Sequence, residues 1–239
     1  ILQGKFERKV LFFDNIDPIQ FRNSILELNL VRTGFIIISK SGSTLETLSQ
    51  MSSIIEIFKS QNITDKLSQN FVVITENKDS PLKRIANKIS CKTLDHENDI
   101  GGRYSVFSNV GLFPAFIAGL DILKIREGAM SLIKQTNDNS FNEHLIGASV
   151  AIYLQSSKSI NTNVLITYTD ALYYFGKWYL QLWAESIGKK GKGITPIHSI
   201  GTTDQHSQLQ LYLDGPKDKF FSLITTNYKN QGLRMNEEI

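Results

Sequence analysis

Four short stretches of this chain hold residue types suited to chemistry. The first, Ser39-Lys40-Ser41-Gly42-Ser43-Thr44, falls between an apolar run and a segment with helical spacing. A helix N-terminus presents unpaired N–H groups and a partial positive charge, which suits a phosphate. The hydroxyls of Ser39, Ser41, Ser43 and Thr44 add donors, and Gly42 lets the backbone come close to a ligand. Lys40 adds charge, although in an extended chain it points away from Ser39 and Ser41. An ordinary capping box, Ser43 with Glu46, accounts for some of the same residues without any ligand. The hydroxyls and glycine packed into residues 39–44 are more than a cap needs. No GxxxxGK[ST] run is present, which counts against a nucleotide loop.

The second stretch, Asp99-Ile100-Gly101-Gly102-Arg103-Tyr104-Ser105, puts an arginine after two glycines. Small neighbours give a guanidinium access to a site, where it can hold an oxyanion. A plain turn with a surface arginine is the alternative. The third centres on Glu185, near the end of a strongly apolar helix candidate. A helix C-terminus and burial both disfavour a carboxylate, so both raise its pKa toward the range of a general base. An exposed helix-end glutamate beside Lys189 is the alternative, and the aromatic run before it favours burial. The fourth holds His206, within Gly201-Thr202-Thr203-Asp204-Gln205-His206-Ser207-Gln208. Imidazole moves protons near neutral pH, although a lone histidine in a polar loop is usually a surface residue. His96, His144 and His198 have no comparable setting, and no Cys/His spacing suggests a metal site.

Short apolar runs alternating with amphipathic segments read as α/β. Strands are expected at residues 10–13, 35–38, 71–75 and 164–168. Helices are expected at 18–28, 44–59, 81–88, 110–120 (with Pro114 in its first turn), 127–134, 146–154 and 170–188. Asp170 is the expected cap of the last, which is apolar almost all round and therefore expected to be buried. Gly188 ends it. Residues 99–105 read as a glycine-rich loop, 136–140 as a polar stretch and the His206 segment as a loop. The order strand, turn, helix recurs around residues 40 and 168. Two similar α/β layers follow, 1–125 and 126–239, with their boundary near 125–145.

The chain has 239 residues, 41% hydrophobic and 21% charged, so it can build a packed core without disulfides or metals. The lone Cys91 allows no internal disulfide, which fits a reducing cytosol and a cytoplasmic protein. A net charge of +3, evenly spread, does not argue for nucleic acid. No stretch approaches the roughly 20 apolar residues of a membrane span. The start, ILQGKFERKV, does not read as a signal peptide, and Ile1 in place of Met suggests that a natural beginning has been lost.

SKSGSTLET at 39–47, DIGGRYSVFSNVG at 99–111, WAESIGKKGKG at 183–193 and GTTDQHSQLQLYLDGP at 201–216 together resemble the glucose-6-phosphate isomerases of the bacterial type. Their order and separation are also similar to that family, and the likeness runs over nearly the whole chain. The resemblance implies two sugar-isomerase (SIS) subdomains, each a parallel sheet wrapped by helices in three αβα layers. It implies interconversion of glucose 6-phosphate and fructose 6-phosphate through an enediolate, and a homodimer with the active site at the subunit boundary. No metal or organic cofactor is implied. By motif match, Ser39, Lys40, Ser41 and Thr44 would surround the sugar phosphate, with Ser43 in the same turn. Glu185 would be the base between C1 and C2, and Arg103 would stabilise the enediolate. His206 would help open the sugar ring from the partner subunit. The family's glycine-glycine-serine loop and its late C-terminal lysine have no counterpart here, so the chain reads as a core fragment. Two other readings are a non-catalytic sugar-phosphate regulator and an isomerase that also takes mannose 6-phosphate.

Overall fold

The computed structural model describes residues 9–137, 142–229 and 232–233. The protein is α/β, with two three-stranded parallel sheets flanked by helices. It divides into two compact units, with the break between Met130 and Ser131.

In the first unit, helix α1 (Pro18–Leu26) starts where the fixed φ of Pro18 suits a first helical turn and Asp17 accepts from Gln20 N at 2.8 Å. Strand β1 (Phe35–Ile38) leads into α2 (Leu45–Ser60), and the short α3 (Leu67–Asn70) into β2 (Phe71–Thr75). Helix α4 (Pro81–Lys88) then leads to β3 (Lys92–Asp95). The sheet order is β1-β2-β3, with Phe35 opposite Phe71 and Val72 opposite Lys92. Phe35, Phe58 and Phe71 pack with ring centroids 5.0, 5.6 and 6.0 Å apart, and Met51, Ile54 and Leu82 close around them. Fully burying each of these side chains contributes about 1.5–3 kcal/mol. This core fixes β1 and β2, and so the turn that leaves β1.

Two expectations fail in this unit, and one strand was not expected. Residues 10–13 form no strand; the apolar run finds no ladder partner among the described residues, and Leu11 and Phe12 are exposed. Phe13 instead packs edge-on against Phe21, 5.2 Å away. Strand β3 was not anticipated, because Lys-Thr-Leu-Asp shows little of the apolar pattern of a buried strand. In helix α5 (Asn109–Ile117), capped by Ser108, Pro114 lies inside the helix rather than in its first turn.

Helices α6 (Ile122–Asn137) and α7 (Glu143–Lys158) follow. The polar stretch expected at 136–140 falls mostly outside the described residues. In the second unit β4 (Thr162–Thr167), α8 (Tyr173–Ile187), β5 (Thr195–Ile200), α9 (Thr203–Asp214) and β6 (Lys219–Ile224) alternate. The sheet order is β5-β4-β6, so β4 is central and is buried at every residue. Asn163 is tolerated there because its amide donates to the Tyr179 hydroxyl and its carbonyl accepts from Ser222 Oγ at 3.4 Å.

The second unit also corrects the reading of the sequence. The His206 segment is helical, not a loop; its polar residues suit a helix that is largely exposed. Strands β5 and β6 carry proline, histidine, lysine and serine at sheet edges, where side chains partner the polar groups: His198 with Thr167, Ser199 with Tyr212 and Lys219 with Asp218. Asp170 does not cap α8. It opens a short 3₁₀ turn headed by Thr169, whose hydroxyl accepts from Ala171 N at 3.3 Å, and Leu172 is the cap position of α8. Helix α8 is not buried all round: Gly176 is its one buried residue, and Tyr174 is exposed.

Candidate functional site

Strand β1 delivers Ser39 to the carboxyl edge of the first sheet, where it is buried and its N–H bonds Ile74 O at 3.1 Å. The turn that follows is held by its own hydroxyls. Ser39 Oγ and Thr44 Oγ1 are 2.7 Å apart, and Gly42 N donates to Ser39 Oγ at 3.2 Å. Ser43 donates to Ser41 Oγ from both its amide (3.2 Å) and its hydroxyl (2.9 Å). The alternative Ser43–Glu46 capping box is not the cap of α2, because the helix starts one residue later than that motif requires. Thr44 is the cap position of α2, and its side chain makes no bond to the first amides of the helix. Donors at the start of α2 thus remain for an anion.

Gly42 is required by two constraints. Its φ is +66°, and a Cβ there would lie 2.2 Å from Ser80 Oγ and 3.0 Å from Thr75 Oγ1. Ser80 and Thr75 are both buried, and Gly42 O accepts from Leu82 N at 2.9 Å. The turn is thus seated on the first turn of α4. Neither Ser80 nor Thr75 was singled out in the sequence, because only the fold places them under the turn.

Lys40 turns away from the hydroxyls. Its ammonium donates to Asn98 O at 2.9 Å and to Ile100 O at 2.8 Å, and lies 3.5 Å from Glu76 Oε1. Glu76 is a buried carboxylate that sequence reasoning missed. A hydrogen bond from Lys78 holds it below the usual carboxylate range against the opposing effect of burial, and the charges of Lys78 and Lys40 add to this.

The residues that Lys40 grips lead directly into the arginine segment. Gly102–Phe107 form a 3₁₀ turn in which buried Ser105 donates to Gly102 O at 2.6 Å. Ser108 Oγ donates to Ser105 O at 2.7 Å, and Asn109 Nδ2 to Asp95 O at 2.9 Å, which ties the segment to the end of β3. The Arg103 guanidinium lies over the Tyr104 ring, 4.5 Å from its centroid. The turn at 39–44 and the Arg103 segment therefore meet through Lys40 at one edge of one sheet.

Glu185 and His206 belong to the second unit. Glu185 lies in the last turn of α8 and is exposed, so the burial expected of it is not found. Gln181 Nε2 donates to Glu185 Oε2 at 3.4 Å. Lys189 does not face that carboxylate; it donates to the main-chain carbonyls of Glu185 (2.6 Å) and Ser186 (3.0 Å), closing the helix C-terminus. Beyond it Lys189 pairs with Lys192 across a two-residue turn, with φ +54° at Lys190 and +69° at Gly191. His206 is exposed in the opening turns of α9, whose start is pinned by Asp204 Oδ2 accepting from Ile200 N at 2.6 Å. His198, set aside in the sequence, is tucked under Gly176 and shares a 2.9 Å hydrogen bond with Thr167 Oγ1. Among the described residues no group of His, Cys, Asp and Glu side chains could hold a metal ion, and no helix is long and apolar enough to cross a membrane.

The family model described as phosphoglucose isomerase matches residues 2–221. The chain belongs to the phosphoglucose isomerase family. A glucose-6-phosphate isomerase from Methanocaldococcus jannaschii is 39% identical over 98% of this chain and 56% of its own length. One from Rubrobacter xylanophilus is 38% identical over 89% of this chain and 50% of its own. The crystal structure of a hypothetical protein from Thermus thermophilus superposes with a TM-score of 0.78 at 30% identity, over 88% of this chain and 51% of that one. The chain spans about half the length of the curated relatives it matches.

Proposed function

We propose that the protein carrying this chain is an aldose–ketose isomerase that interconverts glucose 6-phosphate and fructose 6-phosphate, in glycolysis and gluconeogenesis. The observation that carries this reading is the family match over residues 2–221, which takes in the turn at 39–44, Arg103, Glu185 and His206.

The reaction moves a proton between C1 and C2 of the open-chain sugar. In the proposed mechanism Ser39, Ser41, Ser43 and Thr44, with the free amides at the start of α2, hold the phosphate at the non-reacting end. Lys40 adds positive charge to that region. His206 assists ring opening, contributed from the partner of a homodimer. Glu185 takes the proton beside the carbonyl and returns it to the neighbouring carbon, which one carboxylate can do because both carbons lie within its reach. The enediolate formed between those steps carries negative charge on oxygen, and Arg103 offsets it. A single donor to such an oxyanion is worth about 3 kcal/mol, or about 10²–10³ in rate. The substrate is a soluble small molecule, no metal or organic cofactor takes part, and the protein works in the cytoplasm, consistent with its single cysteine.

The test is a coupled assay of the full-length protein with each sugar phosphate, wild type beside Glu185→Gln. Wild type should interconvert them, and the variant should lose at least about 10²-fold in kcat. A wild type without isomerase activity removes the function, and a variant with full activity removes Glu185 as the base.

A further inference from the structure

The ammonium of Lys40 donates two hydrogen bonds and makes one ion pair. Asn98 O and Ile100 O lie at 2.9 and 2.8 Å, and the buried Glu76 carboxylate lies at 3.5 Å. None of these belongs to the turn at 39–44. The side chain instead runs from that turn to the two carbonyls that precede Gly101-Gly102-Arg103. The backbone of Lys40 is fixed as well: its carbonyl accepts from Glu76 N at 3.1 Å and from Thr75 Oγ1 at 3.3 Å. Both ends of the lysine are thus anchored, one in the sheet and one in the arginine segment.

We propose that Lys40 is a positioning residue that holds the Arg103 segment in register with the phosphate turn, rather than a ligand of the phosphate. The two carbonyl bonds set the height of residues 98–100 above the sheet, and Glu76 orients the ammonium that makes them. Lys78, on the far side of Glu76, shares its charge and leaves the carboxylate ionised to face Lys40. The catalytic part of this proposal rests on the isomerase reading; the positional part does not. The distinction matters because a phosphate ligand and a strut fail differently. Loss of a ligand weakens binding in ground and transition states alike, whereas loss of a strut lets Arg103 drift from where charge develops.

The experiment uses the full-length protein with Lys40→Met and Glu76→Gln, read in two ways. Hydrogen exchange at the amides of residues 98–104, where Ile100 N and Tyr104 N bond Glu97 O and Gly101 O, needs no activity. Lys40→Met should speed it about tenfold, with a smaller rise for Glu76→Gln, while β2 keeps its protection. In the kinetic arm Lys40→Met should lower kcat about 100-fold, as expected for a displacement near 1 Å. The inhibition constant of inorganic phosphate should stay within about twofold of wild type, since ground-state binding is untouched. Unchanged exchange at 98–104 overturns the strut. Phosphate inhibition that weakens in step with kcat/KM overturns it too, and makes Lys40 a phosphate ligand. If wild type shows no isomerase activity, the function fails while the exchange arm still decides the strut. If Lys40→Met does not fold, Glu76→Gln is read the same way, and unchanged exchange there overturns the proposal.

Discussion

Replacing Gly42 by alanine would place a methyl carbon 2.2 Å from Ser80 Oγ, 2.7 Å from Ser80 Cβ and 3.0 Å from Thr75 Oγ1, at a φ of +66°. Two costs follow. A side chain in the left-handed region costs about 1–2 kcal/mol. Forcing a carbon into a filled space costs about 1–3 kcal/mol more, and the serine Cβ cannot rotate away without moving α4. A loss of about 3 kcal/mol is expected, which for a chain of about this size lowers Tm by about 6–12 °C. Circular dichroism gives the Tm, and hydrogen exchange in β1, β2 and α4 localises the loss. A second variant isolates the steric part: Ser80→Gly added to Gly42→Ala removes both serine atoms that clash. The double variant should be at least about 1 kcal/mol more stable than additivity allows. Gly42→Ala with an unchanged Tm, or strict additivity with Ser80→Gly, would refute the packing argument.

Gly176→Ala tests a change of sign. Alanine in a helix interior is ordinarily favoured over glycine by about 1 kcal/mol, but here its Cβ would meet the His198 ring at 2.2 Å; urea denaturation should show a loss, and a gain would contradict the packing. His198 also carries a pH dependence. Burial holds its pKa below the ordinary 6.5, the charge of Lys177 adds to this and that of Asp204 opposes it. The unfolded chain then takes up a proton that the folded chain refuses, so stability should fall as pH drops below about 6.5 and level off once the folded pKa is passed. His198→Gln should flatten that part of the stability curve between about pH 5 and 7, and an unchanged slope would contradict it.

The elements legible in the sequence are those where one simple force dominates. The β1 and β2 cores are runs of Phe, Ile and Val between turns, α4 is announced by Ser80-Pro81, and α2 by apolar residues at helical spacing. What was missed depends on context that the local sequence does not carry. Lys-Thr-Leu-Asp is a strand because β2 offers it an edge, and Val-Leu-Phe-Phe at 10–13 is not one because none of the described residues pairs with it. The stretch Thr-Asp-Gln-His-Ser-Gln reads as a loop by polarity, yet Asp204 ties its start to β5 and helix follows. At the candidate site the turn hydroxyls, Gly42 and Arg103 were visible as types and spacing. Glu76, Thr75 and Ser80 were not, because the turn residues they meet, Lys40 and Gly42, are more than 30 residues away in sequence and only the fold brings them together. The direction of Lys40 was half legible: alternation along an extended chain turned it away from the hydroxyls, but its acceptors emerged only with the fold.

The proton chemistry can be read directly by running the full-length protein on glucose 6-phosphate in D₂O. A single carboxylate base exchanges part of its proton with solvent, so deuterium should appear on C1 of the fructose 6-phosphate formed and on C2 of recovered glucose 6-phosphate, and should be lost with Glu185→Gln. Turnover with no solvent deuterium in either sugar, or incorporation by Glu185→Gln at the wild-type rate, would contradict the assignment of Glu185 as that base.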